Sequence, residues 1–255
     1  SIRGISRELN PFRLNGAFVH TIRDPQVGYL RHVLIPPADP EAEASLPPGS
    51  PEPDPSFVYR RLEEISPMVT ASVITAEDGA FYYHDGVNFR TLAHAVVRNL
   101  SAGEVQVGAS TITMQLAKML FLSDDRVFAR KLQEVFLVYL MEHQVPVSKD
   151  RILEIYLNIA EFGPAVFGIH DAAEYYFGTD AGDLDVGQAT FLASILPSPK
   201  RYHWYYDQGE ISDGWFIRMK SYYDIMLRRG RMTREEYEEA IQQKPAFAKP
   251  PAPEA

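Results

Sequence analysis

Along most of the chain apolar positions recur every three to four residues. That period predicts helices over about 62–76, 89–101, 110–121, 126–144 and 149–159, then over about 165–176, 185–196, 213–229 and 233–243. Local chemistry fits the boundaries: Ser110-Thr111 is an N-cap pair, Gly178 stops a helix after Tyr175-Tyr176-Phe177, and Thr233 with Glu236 has capping-box spacing. Two early runs break the period. Gly16–Ile22 and Gly28–Ile35 are short and rich in β-branched residues, which predicts two strands closed around Asp24-Pro25. Between them and the first helix lies Pro36–Pro55, with eight prolines, five acidic residues and no Lys or Arg. Such a segment propagates neither helix nor sheet and reads as a stiff, solvated linker. The expected fold is mainly α, with a short N-terminal β or extended segment over 1–35, the linker over 36–55, one helical domain over 56–244 and a Pro-rich tail over 245–255.

Composition narrows the classes. The 255 residues carry 25 Lys and Arg against 34 Asp and Glu, a net charge of −9, and no cysteine. Disulfides, thiolate metal sites and a cysteine nucleophile are excluded. The acidic balance argues against nucleic acid as a partner, because phosphate neutralisation needs a basic surface. No run approaches the roughly 20 apolar residues of a membrane-spanning helix. The chain starts at Ser1 without a basic-then-apolar leader, which suggests a piece of something longer.

Three segments carry candidate chemistry. Glu77-Asp78-Gly79-Ala80-Phe81-Tyr82-Tyr83-His84-Asp85-Gly86 puts an acidic pair where a helix gives way to a loop, beside aromatic residues that could desolvate a carboxylate and raise its pKa. The plainer alternative is two solvated acids and a core histidine. In Gly108–Lys118, a helix start with hydroxyls at Ser110 and Thr111 aligns Thr111, Gln115 and Lys118 on one stripe, a candidate anion seat or simply a capped amphipathic surface helix. In Arg126–Glu142, Arg130 and Lys131 precede Glu134 by four and three residues, either a helix ion pair or a cationic ledge beside a second carboxylate. Two carboxylates, several cations and a hydroxyl-capped helix suit glycosyl chemistry on a phosphate-activated sugar. There is no Gly-rich phosphate loop, no HExxH and no GxSxG.

In order and spacing these segments resemble the peptidoglycan glycosyltransferases of glycosyltransferase family 51, especially the monofunctional biosynthetic transglycosylases. Five blocks carry the likeness. They are Glu77-Asp78-x-x-Phe81-x-x-His84-x-Gly86, Gly108-x-Ser110-Thr111-Ile112-Thr113-x-Gln115-Leu116-x-Lys118, and Arg130-Lys131-x-x-Glu134. Ile152-Leu153-Glu154-x-Tyr156-Leu157-Asn158 with Phe162-Gly163 follows, then Gly168-x-x-x-Ala172-Ala173-x-x-Tyr176-Phe177-Gly178. Departures are Met114 where the family commonly has glutamine, Met119 where it has asparagine, and Asn88 for a frequent aspartate.

The resemblance implies a lysozyme-like head and a small apolar jaw over about 82–109, with Val87, Phe89, Leu92, Val96, Val97 and Leu100 as its apolar surface. It implies lipid II and the nascent glycan strand as substrates, polymerised into β-1,4-linked glycan with release of undecaprenyl diphosphate. Glu77 matches the general base and Glu134 the second essential glutamate. Lys118, Arg126, Arg130 and Lys131 would hold the diphosphate, Ser110, Thr111 and Gln115 would shape the pocket, and Asp78, Phe81, His84 and Gly86 would support it. Parts of the family use a divalent metal, Mg or Mn, on the diphosphate, and no dedicated ligand set stands out here. The implied setting is the periplasmic face of a bacterial cytoplasmic membrane, within a longer membrane-anchored protein and among other cell-wall synthesis proteins. Two alternatives stay open, a lytic enzyme of lysozyme type and a non-catalytic lipid II-binding scaffold. The Lys118 and Arg130-Lys131 cations distinguish synthesis from lysis, since cutting a neutral glycosidic bond needs no diphosphate clamp.

Overall fold

The computed structural model describes residues 14–24, 28–88, 110–122, 128–144 and 147–248. It is mainly α, as expected, with two small two-stranded sheets among the described residues. Strands β1 (Phe18–Asp24) and β2 (Tyr29–Ile35) form the first, and on β2 the alternating Arg31, Val33 and Ile35 are buried. The helices are α1 (Pro67–Glu77), α2 (Ile112–Phe121), α3 (Phe128–Tyr139), α4 (Lys149–Ile159), α5 (Ile169–Phe177) and α6 (Val186–Ile195). Short α7 (Pro199–Tyr202) and α8 (Trp204–Gln208) precede α9 (Asp213–Arg228) and α10 (Arg234–Ala240).

The structure corrects three boundaries. The helix expected from about 62 splits into a 3-10 turn, Leu62–Glu64, and α1, which begins at Pro67 because proline suits the first helical position. The helix expected from about 165 starts only at Ile169. Val166-Phe167 instead form strand β4, antiparallel to β3 (Glu161–Gly163), and positive φ at Ala165 and Gly168 turns the chain around it. A side chain at Gly168 would also meet the Asn158 carbonyl oxygen at 2.5 Å, so only glycine fits there. The long helix expected over 126–144 is α3 followed by a π-helical turn, Leu140–Gln144. The helix expected over 89–101 lies outside the described residues.

The chain divides into two compact units. The first comprises 1–20, 32–53 and 77–156. Here α2 and α3 pack together, and Ile112, Leu116, Leu137, Val138, Met141, Ile152 and Tyr156 form its core. Arg151 on α4 donates from Nε to the Leu14 carbonyl at 3.0 Å, and from its other nitrogens to the Pro36 carbonyl and Glu154. The start of the proline-rich segment is therefore pinned to a helix rather than wholly solvated.

The second unit comprises 21–31, 54–76 and 157–255. Its core gathers Tyr176, Phe177 and Phe191 with Phe247, whose ring lies 4.9 Å from that of Phe191 and so anchors the start of the tail. The family-like residues on this side are structural. Asn158 pairs with the backbone of Arg60 through both ends of its amide at 2.8 Å, and Tyr176 Oη donates to the Phe162 carbonyl at 2.8 Å. Gly178 closes α5 in the left-handed conformation, and the Thr233–Glu236 capping box opens α10.

Candidate active site

The first unit holds the residues singled out for chemistry. Glu77 ends α1 and is half-buried, whereas its neighbour Asp78 is 6% exposed. The two acids have different work. His84 Nε2 lies 2.9 and 3.0 Å from the Asp78 oxygens, and the backbone N–H of Ile112 donates to Asp78 Oδ2 at 3.3 Å. Asp78 therefore fastens its own loop and the start of α2. Glu77 Oε2 accepts a 2.8 Å hydrogen bond from Gln115 Nε2.

The loop from 78 to 86 is held at further points. Phe81 is fully buried with the Lys149 ammonium 4.8 Å from its ring centroid, and Tyr82 Oη donates to Asp150 at 2.8 Å. Thr111 Oγ1 donates to the Gly86 carbonyl and accepts from the Met114 N–H at 3.2 Å, which makes Thr111 the N-cap of α2. Thus two of the first three N–H groups of α2, those of Ile112 and Met114, are already taken by the protein. At this helix start Asp78 and Thr111 therefore serve the caps themselves, as in the capped-helix alternative.

Yet α2 is not an amphipathic surface helix. Ile112, Thr113, Met114, Leu116 and Ala117 are all buried, while Gln115 is half-buried and Lys118 exposed. Met114, at the position where the likeness suggests glutamine, is 3% exposed and packs as a core residue. Below it, Thr113 Oγ1 and Lys149 Nζ both reach Glu142 Oε1, at 2.8 and 2.6 Å. Sequence reasoning missed Thr113, Glu142, Lys149 and Tyr156 as supports. Tyr156 Oη donates to Gln115 Oε1 at 3.1 Å. The periodicity places Glu142 on a regular helix, and the π turn that aims it has no signature in that pattern.

Glu134 on α3 is 5% exposed, and α3 packs on α2. The hydrogen bonds pair Glu77 with Gln115, Asp78 with His84 and the Ile112 N–H, and Thr111 with Gly86, while Lys118 stands three residues past Gln115 near the end of α2. Ser110 is exposed just before the cap. Arg130 and Lys131 are described only as backbone within α3, and Arg126 and most of the jaw, 89–109, lie outside the described residues.

Such a site can accept a proton. A half-buried carboxylate with one oxygen fixed by an amide is oriented as a base, and a nearby lysine can meet an anion. Among the described residues no three His, Asp or Glu side chains gather as a metal-ligating group.

A profile of the transglycosylase family matches residues 52–226, which takes in both carboxylates and all five sequence blocks. The chain belongs to the transglycosylase family. The biosynthetic peptidoglycan transglycosylase of Herminiimonas arsenicoxydans is 45% identical over 144 residues, 56% of this chain and 60% of that protein. Its counterpart in Acinetobacter baylyi is 43% identical over 144 residues, 56% of this chain and 63% of the relative. That of Bordetella avium is 40% identical over 181 residues, 69% and 71% of the two chains. This transglycosylase-family chain spans about three fifths of the length of the first of these relatives.

Proposed function

We propose that this chain is a peptidoglycan glycosyltransferase, an inverting hexosyltransferase that polymerises lipid II into β-1,4-linked glycan. The 4-hydroxyl of an incoming lipid II attacks the anomeric carbon of the lipid-linked growing strand. Glu77 takes the hydroxyl proton as the new C–O bond forms. The bond from the anomeric carbon to the diphosphate oxygen breaks with its electron pair, and undecaprenyl diphosphate leaves. Lys118, with Arg126, Arg130 and Lys131, offsets the charge that grows on the departing diphosphate, and Glu134 stands beside it. Ser110, Thr111 and Gln115 shape the pocket, and Asp78, Phe81, His84 and Gly86 hold the loop that carries the base.

One observation carries the reading. Of two adjacent acids, Asp78 is engaged by His84 and the start of α2, while Glu77 is half-buried and oriented by Gln115. The names of the relatives, biosynthetic peptidoglycan transglycosylases, support the same chemistry. The substrate's lipid places the work at the periplasmic face of the bacterial cytoplasmic membrane, alongside other cell-wall synthesis proteins, with residues 56–244 as the catalytic domain and 82–109 as its membrane-resting jaw. Among the described residues no helix is long and apolar enough to cross a membrane.

Labelled lipid II in detergent tests the proposal by separating polymer from monomer. Glu77→Gln keeps the shape and removes the basicity, so polymerisation falls about 10²-fold or more. Near wild-type turnover in that variant, or digestion of finished peptidoglycan without lipid II, overturns the synthetic reading.

A further inference from the structure

Tyr156 lies on α4, 1% exposed, between buried Ile152, Leu153, Ile155 and Leu157. A phenylalanine would fill the same volume, and a hydroxyl in such surroundings costs free energy unless it is bonded. Its bond goes to Gln115 Oε1 at 3.1 Å, and the opposite end of that amide donates to Glu77 Oε2 at 2.8 Å.

A primary amide has two ends of nearly equal size and opposite chemistry, an oxygen that only accepts and a nitrogen that only donates. Turned over, it would set Oε1 against the Glu77 carboxylate, acceptor against acceptor, and push the carboxylate away. A donor at Oε1 prevents this. Burial, and next the charge of Glu77, push the Tyr156 phenol well above its ordinary pKa of 10.0, so it stays protonated wherever a carboxylate base operates.

We propose that Tyr156 is a positioning residue for Glu77, its hydroxyl locking the Gln115 amide with the N–H toward the carboxylate and so fixing the face that the base presents. This rests on Glu77 being the base. Tyr156 touches no reacting atom, and its hydrogen bond reaches Glu77 through Gln115. Gln115 in turn acts on the base as well as on the pocket.

The experiment measures kcat and KM on lipid II in detergent for the full chain and for Tyr156→Phe, Gln115→Met and the double variant, with thermal melts of each. Tyr156→Phe is expected to lower kcat about 2- to 10-fold, the worth of one ordinary hydrogen bond expressed as a rate, with KM within about twofold and the melting temperature held. Gln115→Met, which keeps the length and removes both bonds, lowers kcat at least as much. In that background Tyr156→Phe has no further effect on kcat.

Unchanged kcat in Tyr156→Phe, or two losses that multiply in the double variant, overturns the proposal. Wild-type kcat in Gln115→Met overturns it even if Tyr156→Phe does not fold. Glu77→Gln separates the two ideas. An inactive Glu77→Gln beside a fully active Tyr156→Phe refutes only the positioning role, whereas an active Glu77→Gln refutes the base itself.

Discussion

Glu142 sits in the π turn with its side chain 6% exposed, and one of its oxygens serves two donors from different elements. Lys149 Nζ donates at 2.6 Å from the first turn of α4, and Thr113 Oγ1 donates at 2.8 Å from α2. Glu142→Ala strands the ammonium, which is 18% exposed, and frees the threonine hydroxyl. Breaking a buried pair by removing one partner costs about 3–5 kcal/mol, and water reaching the partly exposed ammonium places this case near the lower end, about 3 kcal/mol. For a chain of this size each kcal/mol moves the melting temperature about 2–4 °C, so the expected loss is about 6–12 °C. Lys149→Met keeps the stem over Phe81 and leaves Glu142 with the threonine donor, for a loss of about 2–3 kcal/mol. The Glu142→Leu, Lys149→Met pair strands no charge and leaves only the buried Thr113 hydroxyl without its acceptor, so it should lose about 1–3 kcal/mol, well short of the sum of the singles. Circular-dichroism melts of the four proteins decide it. Single variants melting with the wild type, or a double variant as poor as the sum of the singles, would refute the buried-pair account.

Three further outcomes are expected. Gly86→Ala must hold φ +76° and place a Cβ 2.2 Å from Val138 Cγ1, so it should cost about 3 kcal/mol or more and show as a collapse of the melting temperature. Lys118→Ala and Arg130→Ala should each cut lipid II polymerisation about 10- to 100-fold, the worth of a charge-assisted contact, with melting unchanged and no cleavage of finished glycan. Full activity in both would remove the diphosphate contacts. In the second unit, hydrogen bonds from the Ser56 hydroxyl and N–H, then Arg31, hold the Asp54 carboxyl below its ordinary 3.8. Because the folded pKa is depressed, this contribution is present above the unfolded value and lost as pH falls through the folded one. Asp54→Asn should flatten the fall in melting temperature as pH drops below the ordinary carboxylate value, and an unchanged acid slope would refute that role.

Helix positions were legible because burial imposes a 3.6-residue period on the side chains, and the caps at Thr111, Gly178 and Thr233 were legible because few residues serve those positions. The β3–β4 turn was not. Val166, Phe167 and Ile169 have helix-compatible spacing, and only the dihedral angles of Ala165 and Gly168, invisible to hydropathy, make the first two a strand. The short α7 and α8 escaped notice because four or five residues cannot display a period. The π turn escaped for a related reason, since one extra residue per turn rotates Glu142 off the face that regular spacing assigns to it.

At the site, spacing found the chemical groups and left their roles undivided. Glu77 and Asp78 are neighbours of the same charge, and their local pattern does not divide them, although the family likeness matches Glu77 to the base. The division comes from partners distant in sequence. Asp78 meets His84 and Ile112, six and thirty-four residues on, while Glu77 meets Gln115, thirty-eight residues on. The same holds along α2, where a polar stripe of Thr111, Gln115 and Lys118 suggested one surface with one purpose. Thr111 spends its hydroxyl on Gly86 and Met114, Gln115 turns to Glu77, and Lys118 alone of the three is exposed. Met114 adjoins that stripe as a buried apolar residue, so α2 presents its polarity through Gln115 rather than through a pair of neighbouring amides. The Tyr156 hydroxyl bonds Gln115 Oε1 and so favours the amide face that gives its N–H to Glu77.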